Sequence, residues 1–299
     1  MDRESSAFMY GEQYHGIKDQ RKNEMKYGFV LPQGDARTAT EFAKQAELYG
    51  WDGFFVWEPL WGIDAWVSLA AAAMQTRRIK LGTMLSPISR MRPWKLASET
   101  ATLDNLSEGR VILSVGLGAL DTGFKEFGEI TDRKTRAELL DEGLKILTNL
   151  WAGDSFRYYG KHYQVEITEK TFWPPPPPVQ KPRIPIWVVG AWPSIKSMQR
   201  VLRYDGLLPN VLDEKGKILM SPATPNEISK MKEYIEANRN QETPFDIIME
   251  GQTPGDDRRA ALDIIEPYAQ AGVTWWIEAH WETPEPAQVL TRIKQGPPT

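Results

Sequence analysis

The chain has no cysteine, only three histidines among 299 residues, and no long apolar run. Without thiols there can be no disulfide, thiolate metal site or cysteine nucleophile, although the redox compartment stays open. No segment approaches the roughly 18 apolar residues of a membrane helix. Charge of one sign is missing too. The 36 basic and 40 acidic residues leave a net charge of −4 with no basic cluster, which argues against a nucleic-acid surface. No serine stands in a Gly-x-Ser-x-Gly elbow, and no glycine run has dinucleotide-fingerprint spacing. The first 26 residues are polar and charged, without the apolar core of a signal peptide. They are expected to be an N-terminal extension to a single domain over 27–299, in a cytoplasmic protein.

What remains is ordinary globular material, 41% hydrophobic and 25% charged, with twelve tryptophans. Its most informative stretch is Arg77 to Gly118. An apolar run from Ile79 to Leu85 and another from Val111 to Val115 flank a helical pattern opened by Pro93, with Leu96, Thr100, Leu103 and Leu106 on one face. That is a strand–helix–strand unit of a parallel sheet covered on both sides. The same alternation runs through the chain. Strands are predicted at 27–31, 53–57, 79–85, 111–115, 184–189, 206–208, 245–249 and 273–277, each followed by an amphipathic helix. Eight such units predict a closed α/β fold, a (β/α)₈ TIM barrel. One excursion interrupts it between strands four and five: a hairpin around Gly160-Lys161 and five consecutive prolines, 174–178.

A barrel of this kind carries its site at the carboxyl ends of the strands. The exits offer Gln33, Trp57, Glu58, Thr83, Met84, Ser86, Gly116, Leu117, Gly118, Gly190, Ala191, Trp192, Asn210, Glu250, Gln252, Glu278 and His280. Gly190 to Trp192 lead into a helix starting near Pro193, and unpaired amides at a helix start suit an anion; Gly116 to Gly118 are a second set. Both read equally as ordinary βα turns. Glu58 and His280 are candidates for acid–base work, and Glu250 and Glu278 for the substrate pocket, though any rim glutamate could be a salt-bridge partner. Trp57, Trp61, Trp192 and Trp281 suggest a greasy pocket or simple core filling. No His-x-His follows the first strand, and His15 and His162 lie outside the exits, so no metal site is expected.

Taken together, RIKLGTMLSP, ATLDNLSEGRVILSVGLG, LDEGLKILTNLWAG, YGKHY and PIWVVGAWP resemble, in order, the luciferase-like monooxygenase superfamily. Its members bind reduced FMN or the deazaflavin coenzyme F-420. The resemblance implies a flavin phosphate at Gly116–Gly118 and Gly190–Trp192, and a cis peptide at Thr83–Met84 that props the flavin ring. It also implies a small organic substrate, a homodimer, and in some members a separate flavin reductase. Arg110 matches a family arginine but precedes its strand, and is read as structural. Sugar-phosphate dehydrogenases of the superfamily place a histidine after the acidic residue beyond strand two; here Pro59 follows Glu58. The leading expectation is a monooxygenase using reduced FMN. The alternatives are a coenzyme F-420-dependent hydride transferase and a catalytically silent flavin-binding protein.

Overall fold

Lys26–Leu31 (β1) lies between two parallel neighbours, Gly53–Val56 (β2) and Trp275–Ala279 (β8). In a computed structural model describing residues 25–168, 173–282 and 285–298, the remaining strands complete the ring. They are Lys80–Thr83 (β3), Val111–Gly116 (β4), Ile186–Trp192 (β5), Gly206–Val211 (β6) and Asp246–Gly251 (β7). All pairings around the ring are parallel, and Leu81 against Val111 joins β3 to β4. The chain is a closed eight-stranded barrel. The predicted N-terminal extension lies, but for its last two residues, outside the described residues.

Among the described residues eight α-helices alternate with the strands: Ala36–Leu48 (α1), Ala65–Gln75 (α2), Pro93–Leu106 (α3), Arg133–Ala152 (α4), Ile195–Val201 (α5), Pro225–Asn238 (α6), Arg258–Ala271 (α7) and Pro286–Gln295 (α8). Local chemistry sets their starts. Asp35, Asp64, Asp132 and Asp257 each accept a first-turn amide, and Thr224 and Glu227 form a reciprocal capping box. Along α3, Leu96, Thr100 and Leu103 are buried as predicted, but Leu106 is exposed at the helix end. Arg110 is indeed structural. Its buried guanidinium donates to the carbonyls of Ala73, Thr76, Ile79 and Ser107 and to the Thr76 hydroxyl, tying α2 and α3 under the barrel.

The barrel interior is aromatic. Phe55, Trp187 and Trp275 meet with centroids 5.2–6.2 Å apart, filling it below the mouth. Their bulk requires a neighbour without a side chain: a Cβ on Gly206 would stand 2.3 Å from the Trp187 ring.

The excursion after α4 is the predicted hairpin, Phe156–Tyr159 paired with Gln164–Ile167. It docks on α4 rather than over the mouth. Leu139 and Ile146 pack with Tyr163, Phe156, Tyr158 and Val165, and the Glu142 carboxylate accepts the amides of Lys161, His162 and Tyr163. The proline run is fastened by Asn105, which donates to the carbonyls of Pro176 and Pro177.

Candidate active site

Side chains alternate along a strand, and that alternation sorts the exit residues. Trp187, Trp275, Ile277 and Ala279 face the barrel interior, as do Val30, Phe55, Met84, Ile112 and Ile248. At the mouth these strands open into a cavity of about 1900 Å³, larger than one drug-sized ligand needs. Of the predicted residues, Trp57, Glu58, Met84, Gly116, Leu117, Gly118, Ala191 and Glu250 line it, with Gln33, Asn210 and Trp281.

Six predicted residues, Thr83 and Gly190 among them, are elsewhere. Trp61 is 85% exposed and stands off the cavity. Trp192 has outward parity and packs on Tyr234 of α6, centroids 5.7 Å apart. Glu278 is fully buried on the outer side of β8, accepting from the Thr253 amide and hydroxyl and pairing with Arg292 of α8. His280 follows it outward, bonding Glu278 at 2.9 Å and stacking on Phe29. Burial pushes the Glu278 carboxyl up, but His280, Arg292 and Thr253 overcome this and hold it below the ordinary range. The pair braces the wall of the barrel and does not face the reaction space. Gly190 also points outward, where a Cβ would meet Leu207 at 2.4 Å.

Glu58 is held at both its carboxylate and its backbone. Its carboxylate accepts from the Ser86 hydroxyl, which is itself 2.8 Å from the Thr83 hydroxyl. Arg90 donates to the carbonyls of Glu58 and Pro59 at 2.7 and 3.1 Å. Burial raises the Glu58 carboxyl to about 7, opposed by Ser86 and the Arg90 charge. Thr83 therefore reaches the site through Ser86 and does not line the cavity. The non-prolyl cis bond lies one residue later than predicted, at Met84–Leu85. The Met84 amide still bonds Val56 at 3.0 Å, so the chain leaves the ladder only after it. Met84 and Leu85 both line the cavity.

The anion expectation needs revising in detail. Gly190 to Trp192 belong to β5 itself, which runs on to Trp192, and α5 starts only at Ile195. The Ala191 amide is taken, donating to the Ser197 hydroxyl at 2.9 Å. That leaves the Ser197 hydrogen to donate into the cavity, which Ser194, Ser197 and Lys196 line together. At the other exit, Arg136 donates to the carbonyls of Leu117 and Gly118 at 2.7 and 3.0 Å and lies over the Phe124 ring. Gly118 takes φ +76° there, and a Cβ would press on Phe124 and Pro87. Arg90, Arg136 and Ser197 escaped sequence reading because none is at a strand exit. Among the described residues no cluster of three metal-ligating side chains occurs.

Comparison with known proteins agrees with the barrel. The family model for luciferase-like monooxygenase matches residues 21–262. An F420-dependent glucose-6-phosphate dehydrogenase of Amycolatopsis mediterranei is 31% identical over 179 residues, 56% of this chain and 52% of that one. The chain thus spans about half the length of that relative. Among solved structures, an F420-dependent secondary alcohol dehydrogenase in complex with an F420-acetone adduct superposes with TM-score 0.74 at 18% identity, covering 92% of this chain and 98% of the other. The oxygenating constituent of 3,6-diketocamphane monooxygenase from Pseudomonas putida, in complex with FMN, gives 0.70 at 17%, covering 91% and 96%. At these identities the structural likeness speaks for the fold.

Proposed function

Since the chain belongs to the luciferase-like monooxygenase family, we propose that it is an oxidoreductase holding coenzyme F-420 in the mouth of the barrel, with Glu58 moving a proton to or from a small organic substrate. The observation that carries this reading is Glu58 itself, a buried carboxyl raised to about 7 in the cavity wall. An acid poised near the working pH can act in either direction of proton transfer.

The residues present suit such a coenzyme. Met84, Leu85 and Val189 form an apolar surface, and Ser197 with Lys196 provides a hydroxyl donor and a cation on the β5–α5 side. Bound there, the deazaflavin would supply the hydride acceptor or donor. Ser86 holds the Glu58 carboxyl in place, Arg90 fixes its backbone, and the indoles of Trp57 and Trp281 limit water beside it. The described hairpin is bound to α4 and contributes no residue to the cavity lining, which supports hydride transfer over oxygen chemistry.

The second reading, a monooxygenase using reduced FMN delivered by a separate reductase, is supported by the family model and by a cavity roomy enough for flavin and substrate. Either enzyme is proposed to work as a cytoplasmic homodimer. Titration of the purified chain with coenzyme F-420, FMN and reduced FMN tests the choice. Tight binding of the deazaflavin, with anaerobic single-turnover reduction by an alcohol, is the expected result. Preference for reduced FMN with oxygen consumption would replace it with the monooxygenase, and binding without turnover would indicate a silent flavin carrier.

A further inference from the structure

Of the carboxyls that line the cavity, two stand at strand exits, and the proposed reaction uses only Glu58. The other is Glu250, at the end of β7 with the inward parity of Ile248. Among the described residues its carboxyl has a single hydrogen-bond partner, the Trp281 indole N–H at 3.1 Å. Trp281 meets Trp57 edge to face, with centroids 6.4 Å apart at 82°, so an indole wall runs from β8 across to β2. Burial pushes the Glu250 carboxyl up, opposed by the bond from Trp281.

Positive charge lies elsewhere around the cavity. Arg133 and Lys134 belong to the first turn of α4, and Lys196, Arg200 and Arg203 to α5 and its end. Arg90, beside Glu58, is engaged by two backbone carbonyls. The exits of β7 and β8 contribute Glu250 and Trp281 but no lysine or arginine to the lining. A phosphate brought there would lose its water beside a carboxyl and two indoles, with no cation to replace that hydration.

We propose that Glu250, with Trp281 and Trp57, is the specificity subsite for an uncharged, mainly apolar alcohol or carbonyl compound, bonding its oxygen and excluding phosphorylated sugars. This rests on the oxidoreductase reading above, and it separates the chain from the Amycolatopsis relative named for glucose 6-phosphate. A carboxyl that exchanges hydrogen bonds with the substrate oxygen discriminates strongly against molecules lacking one, because its own buried polar atoms are then unpaired.

Calorimetric titration of the full chain, cofactor-free and loaded with coenzyme F-420, with cyclohexanol and with glucose 6-phosphate tests the subsite. Cyclohexanol should bind at least about tenfold more tightly than glucose 6-phosphate. Glu250→Ala should lose about tenfold in cyclohexanol affinity, whereas Glu250→Gln, which keeps a donor and an acceptor, should stay within about threefold. Glucose 6-phosphate binding as tightly, an unchanged Glu250→Ala, or no cyclohexanol binding would each overturn the proposal. Failure to take up coenzyme F-420 would instead overturn the cofactor reading, while the cofactor-free titration still decides the subsite.

Discussion

Glu58 and Ser86 are joined by a hydrogen bond from hydroxyl to carboxylate, although 28 residues separate them. The bond links the exit of β2 to the segment beyond β3 and leaves Glu58 facing the cavity. Glu58→Gln keeps that shape and removes the titratable proton. Turnover should fall by about 10²–10⁴-fold, with cofactor affinity changed by no more than a few-fold. In the parent, the proposed ketone reduction would need the protonated acid and should decline as pH rises through about 7; the reverse alcohol oxidation would need the carboxylate and should rise over the same range. Steady-state profiles in both directions check this, and turnover of the variant within a few-fold of the parent would reduce Glu58 to a rim residue.

The same substitution should help stability. The Glu58 carboxyl is raised from 4.5 to about 7 in the folded chain. Stability is therefore undiminished below pH 4.5, is lost progressively as pH climbs through about 7, and stays reduced above it. At pH 8 Glu58→Gln should be more stable than the parent by on the order of 2–3 kcal/mol. Urea unfolding at pH 4.5 and pH 8 measures it, and a stability difference that does not change with pH would contradict the raised acid.

Ala191 lies beside the Ser197 hydroxyl in the cavity wall. Ala191→Asp sets a negative charge against an anionic cofactor end and should weaken its binding by at least about tenfold, or about 1.4 kcal/mol. Ser197→Ala should act in the same direction. Unchanged affinity in both variants, by fluorescence titration, would move the anion site to Gly116–Gly118.

Glu278 and Arg292 form a buried pair with no outlet to the cavity. Glu278→Ala leaves that guanidinium without its carboxylate and should cost about 3–5 kcal/mol. The carboxyl is held low in the fold, so its contribution is present above about pH 4.5 and disappears as pH falls through the folded value. His280→Ala, by contrast, should leave turnover within a few-fold. A large fall in turnover for His280→Ala at unchanged stability would return it to the reaction.

Parallel strands covered on both faces are written as apolar runs, which is why Val111–Val115 and Ile184–Val189 were legible as strands. Strand ends were less so. Ladder pairing carries β5 through Gly190 to Trp192 and β6 through Pro209 to Val211, although glycine, proline and asparagine there read as turn. Facing was the larger difficulty. Glu250 and Glu278 look alike in sequence, one exit apart, yet a one-residue change of parity sends one into the mouth and the other into the wall. Anchoring the parity on the interior Trp187 and Trp275 separates Ala191 from Trp192, and Glu250 from Glu278. The contributions of Arg90 and Arg136 have no such signal, since long side chains reach carbonyls at distances no spacing rule records.

The ring of Phe55, Trp187 and Trp275 has a consequence for the order of events. It stoppers the barrel from below, so a coenzyme and a substrate bound in the mouth would share one doorway. A coenzyme seated deep on Met84 and Leu85, as proposed, would have to enter before a substrate that covers it and could not leave until the product had gone. Turnover on this scaffold would then be a queue, first in and last out, in which an excess of product holds the coenzyme captive.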